Sequence, residues 1–113
     1  IIQLVKSNKI PEARKNIAEY FSHEPQNRVV RRLDAMCDLK QGKADKAIQK
    51  WAILIKEDSK DTVSMLLLAK ARMQVKQLQT EEEIAKTKAV FEEILKIDPM
   101  NEQATQLLQS FPE

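Results

Sequence analysis

At its centre the chain reads Lys40-Gln41-Gly42-Lys43-Ala44-Asp45-Lys46-Ala47, and 34 residues earlier it reads Lys6-Ser7-Asn8-Lys9-Ile10-Pro11-Glu12-Ala13. The echo continues outward: Ile17 falls on Trp51, Ala18 on Ala52, and Glu24-Pro25 on Asp58-Ser59. A fixed internal period means that each unit has an apolar face it cannot bury alone and must stack on its neighbour. The period predicts an all-α stack of antiparallel helix pairs. Such a stack is a recognition surface, whose ligand is set by a few side chains along its groove.

Composition agrees. One Gly and four Pro, beside abundant Ala, Leu, Ile, Lys, Glu and Gln, give helix-forming content with little of the turn chemistry a β-rich fold needs. Lys and Arg number 19 against 17 Asp and Glu, and a net charge of +2 is not the basic footprint of a nucleic-acid binder. Cys37 is alone in an apolar-periodic segment, which excludes an internal disulfide framework and is compatible with a reducing compartment such as the cytoplasm. No stretch has the length and apolarity of a membrane span, and no signal-peptide pattern opens the chain. Ile1-Ile2 begins mid-pattern without an initiating Met, so the chain reads as a piece of a longer protein.

Residues 1–6 read as the last turns of a helix. Asn8 and Gly42 occupy equivalent places, and both tolerate the left-handed conformation that ends a helix. Pro11 suits a first helical turn, and Ala13, Ile17, Tyr20 and Phe21 follow at helical spacing up to Pro25. A second pair is expected over 26–40 and 44–57, the latter with Ala47, Ile48, Trp51, Leu54 and Ile55 on one stripe. A third helix pair starts near Asp61 with the apolar run 65–69, which marks the most buried element. Its partner helix is announced by Thr80-Glu81-Glu82-Glu83, a capping box that also sets carboxylates at the positive end of the helix dipole. That helix carries Ile84, Val90, Phe91, Ile94 and Leu95 and stops at Ile97 before Asp98-Pro99. A final helix carries Ala104, Leu107 and Leu108 and closes at Phe111-Pro112.

Gly42 between helices, Ala47 at a helix crossing, Trp51 four residues on and the Asp58-Ser59 stop together resemble the tetratricopeptide repeat. Ile94-Leu95-Lys96-Ile97-Asp98-Pro99-Met100-Asn101 is similar to the end of such a repeat. The resemblance implies a right-handed superhelical stack in a single domain. Its parts would be a truncated first repeat (1–27), a second (28–61), an extended third (62–101) and a terminal capping helix (102–113). The chain departs from the pattern at Ser59, which replaces the stop proline, at Thr87, which takes the small-residue slot, and in surplus length over 77–82. Strict alignment also puts Arg31, Asp34 and Asp38 at core positions. A one-residue shift of that helix would instead bury Val30, Leu33 and Cys37, and the cost of burying unpaired charge favours the shift.

The family binds proteins or peptides along a concave face lined by the first helix of each pair. The resemblance implies that here this groove is lined by Val29, Arg32, Met36, Leu39, Lys40, Val63, Leu66, Lys70, Met73 and Gln74. The face is mostly apolar with a basic edge, which suits an amphipathic helix or an extended hydrophobic segment. One version of the family clamps a C-terminal carboxylate, as in cochaperones. The corresponding sites read Val29, Leu33, Val63 and Leu67, which donate no charge-assisted hydrogen bond, so a clamp for chaperone tails is not expected.

The remaining residues point to no chemistry. His23 is the one histidine and lacks partners, Cys37 has no neighbouring His or Cys, and Glu81–Glu83 are explained by a helix start. The expectation is a non-enzyme with no catalytic residue, no metal and no cofactor. Arg28, Arg31 and Arg32 form a basic cluster that reads first as a solvated face. Three function classes are carried forward. The first is a protein-binding scaffold, an adaptor, assembly or cochaperone-like module. The second is a structural segment whose groove is filled by its own parent chain or, through self-association, by a second copy. The third is an RNA-binding helical array, against which near-neutral charge and scarce groove aromatics count.

Overall fold

Asn27, Asp61, Thr80 and Asn101 each accept a hydrogen bond on the side chain from the backbone N–H three residues on, at 2.9–3.2 Å, and each starts a helix. The computed structural model describes residues 1–111. Among them lie seven α-helices and no strand: α1 (Ile2–Lys6), α2 (Ile10–Phe21), α3 (Arg28–Lys40), α4 (Ala44–Glu57), α5 (Thr62–Gln74), α6 (Glu81–Ile97) and α7 (Glu102–Gln109). Each helix packs chiefly on its successor, and α1 also reaches α3. The fold is all-α, and this serial packing is consistent with a helical repeat. The described part measures 45 × 28 × 22 Å. No helix in it is long and apolar enough to cross a membrane. Of the expected closure at Phe111-Pro112, Pro112 lies outside the described residues.

The two tight connections are built alike. Asn8 has φ 60° and Gly42 φ 80°, the only described residues in the left-handed region. Lys9 N–H donates to Leu4 O, and Lys43 N–H donates to Asp38 O, both at 2.8 Å. These bonds satisfy carbonyls that a helix end would otherwise orphan. A Cβ on Gly42 would meet nothing within 4 Å, so only backbone conformation opposes substitution there. Gly42→Ala should therefore cost about 1–2 kcal/mol, read as a lower denaturation midpoint. An unchanged midpoint would mean that the turn relaxes freely.

Helix α3 starts at Arg28 rather than 26, because Asn27 takes the capping position and Pro25 and Gln26 turn outside it. Helix α4 runs as its spacing predicts, and α6 starts at its Thr80 cap. The surplus before α6 holds a short 3-10 turn (Lys76–Leu78), whose return is tied by Gln79 Nε2 donating to Arg72 O at 2.8 Å and Val75 O at 3.0 Å.

Buried slots recur along the stack. Ala13, Ala47 and Thr87 sit inside successive helix pairs, and four residues after each come Ile17, Trp51 and Phe91, all buried. Three apolar clusters follow one another along the chain. The first centres on Val5, Ala13, Ile17, Val30 and Cys37, the second on Ala35, Ala47, Trp51 and Leu54, and the third on Met65, Phe91, Ile94 and Ala104. Helix α5 contributes Ser64, Met65, Leu68, Ala69 and Ala71 to the interior. Leu66 and Leu67, within its apolar run, are only half-buried.

The expectation for α3 needs correction. Val30 and Cys37 are buried and Leu33 is half-buried, as the shifted register requires. Yet the charges are not released to solvent: Asp38 is 4% exposed, and Arg31 and Asp34 are half-buried. They are paired instead. Arg14 of α2 donates to Asp34 at 3.2 Å and to Asp38. Lys50 of α4 lies 2.8 Å from Asp34 Oδ2 and 2.6 Å from Asp38 Oδ2, the latter an ion pair away from the best hydrogen-bond angle. Burial opposes the charged form of Asp38, but Lys50 and Arg14 outweigh it and hold its pKa below the usual value. The third pair makes a matching exchange. Arg72 stands 34 residues after Asp38, and its guanidinium donates to Thr87 Oγ1 at 2.9 Å and to Glu83 Oε2 at 2.6 Å. That contact explains a threonine in a slot that otherwise takes alanine.

Candidate functional site

Helices α3 and α5 run in the same direction: Arg32 near the start of α3 donates to Ser64 Oγ and Asp61 Oδ1 at the start of α5, both at 3.1 Å, and the turn after α3 shares a hollow with the segment after α5. Their exposed face carries the residues expected to line a groove. Val29 and Val63 are 52% and 53% exposed, and Lys40, Lys70 and Gln74 are exposed as well. Met36, Leu39, Leu66 and Met73 are half-buried against the chain's own core clusters. Arg32 is committed to Ser64 and Asp61. None of the ten is fully buried, and none belongs to a cluster of catalytic groups. Beside Val29, a hollow of ≈ 350 Å³ is lined by Ile1, Ile2, Gln3, Val30 and Leu33.

Asp61 anchors one edge of this face. Its carboxylate caps α5 through Ser64 N–H at 3.0 Å, accepts the Ser64 hydroxyl at 2.7 Å, and meets Arg28 at 2.6 Å and Arg32 at 3.1 Å. Burial opposes its ionisation, but the Ser64 bonds and the two guanidiniums prevail and hold its pKa at about 2. Arg31 meets Glu57 through two parallel bonds of 2.7 and 2.8 Å. The Arg28, Arg31 and Arg32 cluster is thus spent on Glu57 and Asp61 rather than being a solvated face.

A pH dependence follows. The folded Asp61 binds its proton more weakly than the unfolded residue, so between about pH 4 and pH 2 the unfolded chain holds more protons. Stability from this group is present above pH 4 and is lost as pH falls through 2. It amounts to about 2 kcal/mol. Asp61→Asn keeps a capping oxygen but loses the ion pairs, so its stability curve should be flatter in acid than the parent's. Parallel curves in chemical denaturation from pH 7 to pH 2 would contradict this.

His23 is exposed, and Cys37 is a buried free thiol whose pKa is raised, first by burial. Glu83 turns back to Arg72 and Lys86, and no group of three or more metal-ligating side chains exists among the described residues. Spacing alone misses a second apolar hollow of ≈ 380 Å³ between α4, α5 and α6, lined by Ala52, Ile55, Met65, Leu68, Ala89, Val90 and Glu93. The exposed alanines Ala52 and Ala89 leave room between their helices, and their small size on an otherwise long-chained face is the signal for it. Compared with family models and with curated proteins, the chain matches none.

Proposed function

We propose that the chain is a tetratricopeptide-like module that holds a peptide or helix of a partner protein along the α3–α5 face. The observation that carries this reading is the pair Val29 and Val63: two apolar side chains 34 residues apart, on parallel helices, each left about half in water. Single exposed apolar side chains such as Ile53 are ordinary, and it is the recurrence at one place in successive helix pairs that supports a shared surface. Met36, Leu39, Leu66 and Met73 form the half-covered floor, and Lys40, Lys70 and Gln74 form a polar margin. Serial helix packing and recurring slots support a helical repeat; three repeats at 1–27, 28–61 and 62–101, a cap beyond and a right-handed array belong to the proposed reading. The module is a non-catalytic scaffold, of the adaptor, assembly or cochaperone-like kind.

The same floor residues favour a second reading, because they already pack on the chain's own core. In that reading the face is completed by the parent chain or by a second copy. An RNA-binding role has less support, since the aromatic side chains Trp51 and Phe91 are core and not on this face.

Selection from a random peptide library on the immobilised chain tests the proposal, followed by NMR mapping of the enriched peptides. Shifts concentrated at α3 and α5, and loss of binding in Val29→Glu with Val63→Glu at an unchanged melt, are expected. Peptides that map to α4 and α6, or a concentration-dependent dimer that occupies Val29 and Val63, would overturn it.

A further inference from the structure

The net charge of +2 conceals an uneven spread of charge among the helices. On α3 every acid is matched: Asp34 and Asp38 are neutralised by Arg14 and Lys50. The arginines of that helix are spent on Glu57 and Asp61, and Arg72 of α5 is spent on Glu83. Helix α1 has one charged side chain, Lys6. What remains on α1, α3 and α5 is Lys6, Lys40 and Lys70, all exposed and without a carboxylate partner among the described residues. The acids Glu12, Asp45 and Glu81 lie instead in the first turns of α2, α4 and α6.

These lysines lie in the later turns of their helices. Lys6 and Lys40 stand in the last turns of α1 and α3, and the turn after α3 lies beside the connection after α5, where Gly42 and Asp45 line one hollow with Val75 and Gln77. Helix dipoles favour cations in a last turn, but Lys70 lies earlier in α5 and has no such explanation. Each of the three is left in water. Val29 and Lys40, eleven residues apart, and Val63 and Lys70, seven apart, each fall on one face of their helix, so this face runs from an apolar beginning, Val29, Val63 and Leu66, to a basic end with no unpaired acid of its own helices.

We infer that the partner segment is an acidic amphipathic helix laid along α3 and α5, its apolar side chains on Val29, Val63 and Leu66 and its Asp or Glu side chains on Lys40 and Lys70. This rests on the α3–α5 face being the binding surface. Side-chain carboxylates along the helix make the contact, not a chain terminus. A nucleic acid would also meet the lysines, but it would leave the valines uncovered and find no aromatic side chain to stack on.

The test uses three C-terminally amidated peptides of about five turns. All share the same leucine face and carry Glu, Gln or Lys along its flank. Anisotropy is read at low and at physiological salt. The Glu peptide is expected to bind about tenfold more tightly than the Gln peptide at low salt, and salt should narrow that gap. Lys40→Gln with Lys70→Gln should bring the Glu peptide down to the Gln peptide, and Lys40→Glu with Lys70→Glu should reverse the order in favour of the Lys peptide, both at an unaltered melt. Equal binding of the Glu and Gln peptides, both lost in Val63→Glu, would overturn the acidic partner and leave the groove reading standing. Failure of all three peptides to bind would overturn both. Single-stranded RNA that binds through the same lysines would reassign them to phosphate and overturn the inference.

Discussion

Trp51→Ala is expected to remove about 3–5 kcal/mol of stability. Trp51 is 0% exposed and joins α4 to the second cluster, against Ala35, Ala47 and Leu54. Its truncation opens a cavity between helices whose separation is set by Ala47, so neighbours cannot close in without moving α3 against α4. A domain of this size has about 5–15 kcal/mol in total. The variant should therefore show a collapsed denaturant midpoint or remain unfolded. A loss below about 1 kcal/mol would put Trp51 outside the cooperative core. The indole N–H has no hydrogen-bond partner among the described residues, so the contribution is packing and not a polar contact.

The second large effect concerns the charges under α3. Replacing both bases, Arg14→Met with Lys50→Met, leaves Asp38 buried without a counterion and should cost about 3–5 kcal/mol. Removing the acid instead, Asp38→Leu, strands only bases that are themselves partly in water and can turn outward. That change should cost far less. The loss in the double variant should also shrink in acid, because protonation of Asp38 removes the stranded charge. Equal midpoints for the two variants at pH 7 would show that the network contributes no more than a surface pair.

These charges also mark where sequence legibility ended. Helices with a local signal were readable: the Thr80 cap of α6, the Asn8 and Gly42 turns and the stripe of α4 all depend on residues within a few positions. The partners of Asp34 and Asp38 lie on two other helices, 12 or more residues away, and become visible only when the helices pack. Arg32 was hidden in the same way, since spacing puts it on the groove face while Asp61 and Ser64 hold it at the margin. Of the ten residues expected to line a groove, the half-burial of Met36, Leu39, Leu66 and Met73 depends on how closely neighbouring helices approach. Period alone does not give that distance.

Cys37 gives the chain an internal clock. Its thiol is shut inside the first cluster, between α3 and the pair α1–α2, whereas Trp51 belongs to the second. In a stack where each helix leans chiefly on the next, the end units can fray before the middle gives way. A thiol reagent reaches Cys37 only when α1 and α2 lift off, so its labelling rate times that detachment. Trp51 fluorescence reports the unit behind it. Agreement between the two rates would make the stack one cooperative body, and faster labelling would show it peeling from its first helices inward.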